Sequence, residues 1–215
     1  MSQTVVVIGG GALSQRAVAA VQPAATVLAA DSGYDHAVAA GLRPAMLVGD
    51  LDSISEEGRA TAEGSGAQVH AHPTMKDATD TELTIAAALE LAVTTDLLVL
   101  GGTAADDERL DHLLGTLLAL GAPELGALRS VRAVLGTTEV AVVHAGRRVE
   151  LSLTPGATFS LLALHGEARG IHLKGAQWEL IDATLMPYEA RGVSNCALGP
   201  VQAGCASGVL TVVVP

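Results

Sequence analysis

Residues 26–50, TVLAADSGYDHAVAAGLRPAMLVGD, carry the pattern that decides the fold. Thr26–Ala30 is a short apolar run that stops at Asp31, the signature of a buried strand. Residues 34–40 read as helix and end at Gly41, with Pro44 just beyond, the two residue types that most often close a helix. Residues 45–48 are apolar again and are closed by Gly49-Asp50. Strand, helix and strand in this order are the unit of a parallel sheet.

The unit repeats on either side. Residues 4–8 (TVVVI) predict a strand before Gly9-Gly10-Gly11, and residues 12–20 a helix. On the other side come a helix over 56–63 and a short strand over 68–70. Thr79-Asp80-Thr81-Glu82 fits a capping box, with Thr79 as N-cap, and opens a helix to about residue 93. Residues 97–100 predict a strand closed by Gly101-Gly102. The helix over 110–120 ends at Gly121, with Pro123 after it. The expected fold is α/β, a doubly wound, mostly parallel sheet with helices on both faces.

The pattern changes after about residue 130. Residues 131–135, 139–143 and 149–153 read as strands, with Gly146-Arg147 as the turn between the last two. Further β-type segments lie near 158–164 and at Val209–Val214, and long helical periods are missing. This half predicts an antiparallel β-sandwich. The expected division is 1–128 for the α/β domain and 129–215 for the sandwich.

Composition narrows the function. Hydrophobic residues make up 49% of the 215 and aromatics only 2%, so Ala, Val and Leu must fill the core and Trp178 stands out. A formal charge of -11 argues against a nucleic-acid partner, which needs clustered Lys and Arg. Cys196 and Cys205 form no CxxC, which fits a reducing compartment. The sequence has no basic-flanked leader and no run near the roughly 20 apolar residues of a membrane span. A cytoplasmic protein without a membrane partner is expected.

The informative residues are carboxylates at predicted strand ends. Asp31 follows one strand. Asp50 and Asp52 follow the next, in Val48-Gly49-Asp50-Leu51-Asp52-Ser53. Asp77, Asp80 and Glu82 sit in Lys76-Asp77-Ala78-Thr79-Asp80-Thr81-Glu82, and Asp111 in Arg109-Leu110-Asp111-His112. Ligands of open α/β sheets bind outside the carboxyl ends of the strands, so these residues converge in space. Gathered carboxylates repel, and Mg²⁺, which takes a few carboxylates plus water and phosphate oxygens, offsets the repulsion. Any one of these aspartates alone reads more readily as a turn or cap residue, but the set is harder to explain as turns. Lys76 and Arg109 read either as surface ion-pair partners or as ligands for phosphate oxygens.

In order and spacing these motifs resemble the thiamine pyrophosphokinase family: Ala30-Asp31-Ser32-Gly33, the segments around Asp50, Asp80 and Asp111, then Gln177-Trp178-Glu179-Leu180 and Gly192-Val193-Ser194-Asn195. The resemblance implies ATP-dependent transfer of a diphosphate to the hydroxyl of thiamine, releasing AMP, in a homodimer with thiamine near the subunit interface. It implies Asp50, Asp52, Asp77 and Asp80 as Mg²⁺ ligands. It implies Asp31, Lys76, Arg109 and His112 at ATP, and Asp77, Asp80, Arg109 and Asp111 at the transfer step, with either Asp77 or Asp80 taking the hydroxyl proton. Trp178, Ser194 and Asn195 would hold thiamine. The chain departs from the family's common residues at Ser32, Asp35, Cys196 and in the Leu-Leu-Gly after His112.

Other signals are weaker. Gly9-Gly10-Gly11 is a partial dinucleotide fingerprint without its third glycine and reads more readily as a tight turn. No P-loop occurs. His70 and His72, two apart, read better as a strand edge than as a metal pair. Rival functions are a pyrophosphokinase for a pterin-like alcohol and a catalytically silent nucleotide or metal sensor.

Overall fold

Five parallel strands form the sheet of the first unit: β1 (Ser2–Val7), β2 (Thr26–Ala30), β3 (Met46–Gly49), β4 (Gln68–Ala71) and β5 (Thr94–Gly101). Their order is β5-β1-β2-β3-β4. The computed structural model describes residues 2–91, 93–102 and 109–215. The chain steps from β1 to β4 in one direction and then returns to β5 on the far side of β1. That reversal creates a switch point at the carboxyl ends of the strands, where open α/β sheets take their ligands.

Helices cover both faces. On one, Val5, Val7, Val27, Leu98 and Leu100 pack against Ala17 of α1 (Gln15–Ala19) and Ala37 of α2 (Gly33–Ala39). On the same side, Ala29 and Leu47 meet Tyr34 of α2 and Ala62 of α3 (Glu56–Ser65). On the other, α4 (Asp80–Glu90) buries Thr84, Ile85 and Ala88. There the Thr94 hydroxyl lies 2.8 Å from that of Thr4 and donates to Ala88 O at 2.7 Å. Each fully buried Leu or Val contributes roughly 1.5–3 kcal/mol, so this two-sided burial holds the strand ends in place. The fifth helix, α5 (Leu110–Ala119), presents Leu110, Leu114 and Leu118 to solvent at i, i+4 spacing.

Helix α1 is shorter than the sequence pattern predicts. Ser14 is its N-cap, accepting from Ala17 N–H at 3.1 Å while its hydroxyl donates to Gly136 O at 2.6 Å. Gly10 and Gly11 both have positive φ, so the preceding residues form a turn instead of a helical turn.

The remaining strands are β6 (Ser130–Leu135), β7 (Thr138–His144), β8 (Arg148–Leu151), β9 (Thr158–Leu162), β10 (Ala168–Ala176), β11 (Leu180–Leu185), β12 (Asn195–Gly204) and β13 (Val209–Val214). The second unit comprises Leu120–Arg132 and Thr138–Pro215; Ala133–Thr137 belong to the first. Its antiparallel layers are β7-β13-β9 and β8-β12-β10-β11. Between them lie Phe159, Leu161, Ile171, Leu173, Val201, Leu210 and Val212. The start of β12 also pairs with β9, at Asn195↔Phe159 and Cys196↔Thr158.

Two details depart from expectation. The turn at Gly146 joins strands that do not pair: β7 binds β13 and β8 binds β12, so the turn carries the chain from one layer to the other. Strands β10, β11 and β12 were not read from the sequence. Gly199-Pro200 interrupts β12, and Gly175 interrupts β10 where the register shifts. A Cβ at Gly175 would lie 2.1 Å from Pro200 O, so the strand needs glycine there and its apolar alternation is broken. Among the described residues, no helix is long and apolar enough to cross a membrane.

Candidate functional site

A cavity of about 730 Å³ opens at the carboxyl ends of the first unit's strands. Gly9 and Gly10 reach it after β1, Asp31 and Ser32 after β2, Asp50 and Ser53 after β3, and Gly102 after β5. Lys76, Asp80, Arg109, Asp111 and His112 also line it.

Asp31 sits at the first position beyond β2 with φ 43, a left-handed conformation that Asp tolerates better than most residues. Its Oδ1 accepts the Leu51 N–H at 2.9 Å. Gly49 makes this possible: its φ is 149, and a Cβ there would lie 2.0 Å from that same oxygen. Any side chain at position 49 would push the Asp31 carboxylate out of the cluster.

Asp50 follows β3 directly. Its Oδ2 accepts from Lys76 Nζ at 3.0 Å, and Lys76 Nζ also stands 3.0 Å from Asp80 Oδ1. Asp80 is placed by the start of α4, where the Thr79 hydroxyl accepts from Glu82 N–H and the Glu82 carboxylate accepts from Thr79 N–H, as the capping box predicts. One oxygen from each of Asp31, Asp50 and Asp80 lies within 4.8 Å of the other two. Asp80 Oδ1 is buried and receives no well-directed hydrogen bond.

The electrostatics follow from this crowding. Burial pushes the Asp31 carboxyl up to about 6, and the charges of Asp80, Asp50 and Asp52 add to the effect against the Leu51 N–H. The hydrogen bond from Lys76 holds Asp50 below the ordinary carboxylate range. Asp52, through its hydrogen bond with Asp50 and the Asp50 charge, is raised. Burial works to lower the Lys76 ammonium, but its close contacts with the Asp80 and Asp50 carboxylates outweigh that and raise it.

The other expected residues divide into three groups. Asp52 is exposed, and its N–H donates to Asp50 Oδ1 at 3.3 Å, so it adjoins the cluster without lining the cavity. Asp77 is exposed and also outside the lining. Arg109 grips Asp111 with a fork, Nε to Oδ1 at 3.0 Å and Nη2 to Oδ2 at 2.9 Å, and Nη2 also meets His112 Nε2. The fork pushes the Asp111 carboxyl down to about 2. In the second unit, Asn195 is buried and clamps Trp178. Its Oδ1 accepts from Trp178 N–H at 3.2 Å and Cys196 N–H at 2.8 Å, and its Nδ2 donates to Trp178 O at 2.9 Å. The Trp178 side chain stays 57% exposed. Ser194, at φ 60, donates its N–H to Ser160 Oγ.

Sequence reasoning missed Thr74, Thr81 and Thr116 at the cavity wall. Thr81 could have been found from its place inside the Lys76–Glu82 motif. Thr74 and Thr116 carry no such signal. It also missed that Asp35 fixes the start of α3, accepting both the N–H and the hydroxyl of Ser55.

The donor set suits a hard cation. It consists of carboxylate oxygens only, one of them a buried acceptor short of hydrogen bonds, and lacks the His and Cys that a softer metal would favour. A parallel α/β unit whose strand ends gather carboxylates, a lysine and an arginine at one cavity, followed by an antiparallel sandwich, defines a phosphate-transferring class of enzyme. The pattern of the thiamin pyrophosphokinase catalytic domain matches residues 19–126, and that of the thiamin pyrophosphokinase vitamin B1 binding domain matches residues 147–210. The chain belongs to the thiamin pyrophosphokinase family, and its activity is the ATP-dependent diphosphorylation of thiamine.

Solved structures share the fold. Thiamine pyrophosphokinase from Bacillus subtilis is 20% identical with a TM-score of 0.79, over 98% of each chain. A thiamin pyrophosphokinase family protein from Enterococcus faecalis is 22% identical, also with a TM-score of 0.79, over 99% of this chain and 98% of its own. Thiamin pyrophosphokinase from Candida albicans is 12% identical with a TM-score of 0.75, over 99% of this chain and 89% of its own. No curated protein sequence matches the chain.

Proposed function

We propose that the cavity of the first unit is where ATP binds and the diphosphate is transferred, and that Asp31, Asp50 and Asp80 hold Mg²⁺ there. Asp52, hydrogen-bonded to Asp50, and Asp77, next to Lys76, are the further carboxylates of the metal set. Bound Mg²⁺ would supply neutralising charge for the phosphates. The observation that carries this reading is the convergence of three carboxylate oxygens within 4.8 Å at the ends of separate elements.

The rest is positioning by the chain's own groups, which dominates phosphate transfer. Arg109 exchanges the Asp111 carboxylate for oxygens of the diphosphate, using the same fork. His112 and Lys76 add contacts to the nucleotide. Asp77 or Asp80 accepts the proton of the thiamine hydroxyl as its oxygen bonds to the β-phosphorus, the bond to the α-phosphate oxygen breaks, and AMP leaves. Trp178 stacks on the cationic vitamin, an interaction worth about 0.5–2 kcal/mol, with Asn195 and Ser194 setting its position.

The division of labour follows 1–128 for ATP and Mg²⁺ and 129–215 for thiamine and dimerisation. A homodimer is favoured by exposed apolar side chains: Trp178, Ile181, Tyr188, Val193 and Leu198 in the second unit and the leucine stripe of α5 in the first. A cytoplasmic location agrees with two free cysteines and no disulfide. The test is an assay for thiamine diphosphate and AMP from thiamine, ATP and Mg²⁺, run with wild type and Asp80→Asn. Loss of both products in the variant is expected; undiminished turnover would remove Asp80 from the site.

A further inference from the structure

Among the described residues, Lys76 touches two members of the carboxylate cluster, at 3.0 Å from Asp50 and 3.0 Å from Asp80. Its side chain is only 14% exposed, and those of Asp50 and Asp80 only 8% and 23%. It therefore occupies the position from which a divalent cation would neutralise the same oxygens. Two cations cannot share this space without strong repulsion, because like charges at such separations in a partly buried site are poorly screened. The geometry points to Lys76 as a built-in counter-ion that blocks uptake of free Mg²⁺ and gives way when the cation arrives with nucleotide phosphates attached.

This role of Lys76 rests on the cation site proposed above and adds an order of binding to it. Without nucleotide, Lys76 holds the Asp50 and Asp80 carboxylates together. With ATP in the cavity, phosphate oxygens become a competing acceptor. Lys76 then turns from Asp50 and Asp80 to the phosphates, and the freed carboxylate oxygens become ligands. A flexible four-carbon stem with three rotatable donors suits this exchange. Asp80 Oδ1, buried without a well-directed hydrogen bond even while Lys76 is beside it, is the oxygen with most to gain.

The test compares Mn²⁺ binding to nucleotide-free wild type, Lys76→Met and Lys76→Arg, by calorimetry and by the electron paramagnetic resonance of free Mn²⁺. Lys76→Met is expected to bind Mn²⁺ at least tenfold tighter than wild type, with a larger Mn²⁺-dependent rise in thermal midpoint. Lys76→Arg should bind no tighter than wild type, which gives a folded comparison if the Met variant proves unstable. Mn²⁺ binding by Lys76→Met that merely equals or falls below wild type overturns the inference, as does tightening in Lys76→Arg. Asp50→Asn and Asp80→Asn in the Lys76→Met background separate the two claims. If these substitutions leave the tightened Mn²⁺ binding intact, the cation lies elsewhere and both claims fall. If Lys76→Met shows no tightening but Asp50→Asn and Asp80→Asn abolish the Mn²⁺ bound together with ATP, the site stands and only the counter-ion role is lost.

Discussion

Replacing Asp31 with Asn should stabilise the metal-free protein while weakening its response to Mg²⁺. Asn keeps the shape, tolerates the left-handed φ of 43, and presents an amide oxygen to the Leu51 N–H. What it removes is a charge that burial penalises first, with the charges of Asp80, Asp50 and Asp52 beside it adding to the cost. The Asp31 carboxyl moves from 3.8 to about 6 on folding. At about 1.4 kcal/mol per pH unit, this corresponds to an upper limit of about 3 kcal/mol. Between roughly pH 4 and 6 the native chain keeps a proton that the unfolded chain has released, so stability falls as pH rises through that window. Above pH 6 the full penalty applies. In EDTA at pH 7.5 and low salt, the variant should therefore melt higher by up to about 6–12 °C, given about 2–4 °C per kcal/mol for a chain of this size. At pH 4 the gain should nearly vanish. Thermal melts followed by far-ultraviolet circular dichroism at both pH values, with and without Mg²⁺, provide the assay. An unchanged or lowered midpoint at pH 7.5, or an equal gain at both pH values, would refute the crowding argument.

Three further outcomes are expected. Arg109→Lys loses the fork and should lower kcat by roughly 10²–10³-fold in the product assay, as loss of a transition-state donor does, while leaving the melting midpoint unchanged because Arg109 and Asp111 are both more than half exposed. Asn195→Ala strands the N–H groups of Trp178 and Cys196, at about 1–3 kcal/mol for each buried group left unpaired; it should lower the midpoint and raise KM for thiamine more than KM for ATP. His144 is held below its usual range by burial, with His165 and Arg147 adding to the shift. Stability should accordingly drop as pH falls below about 6.5, and His144→Gln should flatten that part of a denaturant-midpoint-against-pH curve.

The first unit was legible because its elements advertise themselves locally. Apolar runs end at Asp31, Gly49-Asp50 and Gly101-Gly102, and the capping box at Thr79 fixes the start of α4 to the residue. The sandwich was legible only in part. Val209–Val214 is a plain apolar run, but β10 and β12 are broken by Gly175 and Gly199-Pro200, and their meaning depends on strands distant in sequence. The site divides the same way. Asp31, Asp50 and Asp80 could be named from strand-end logic, yet Asp31 was expected at ATP, and its approach to the other two depends on the missing Cβ of Gly49. Thr74 and Thr116 had no motif to mark them, because only the folding of separate segments brings them to the cavity wall.

The interleaving of the two units has a consequence for synthesis on the ribosome. The first unit is complete only when Thr137 has emerged, because Ala133–Thr137 belong to it. By then Leu120–Arg132 have been made as well, and these belong to the second unit, with Leu120 and Leu125 fully buried in the finished protein. Those leucines stay uncovered until enough of the remaining second unit, which ends at Pro215, has been made to pack on them. A nascent chain paused anywhere between the two points carries a finished nucleotide-type fold with an adhesive tail, the state most in need of a chaperone.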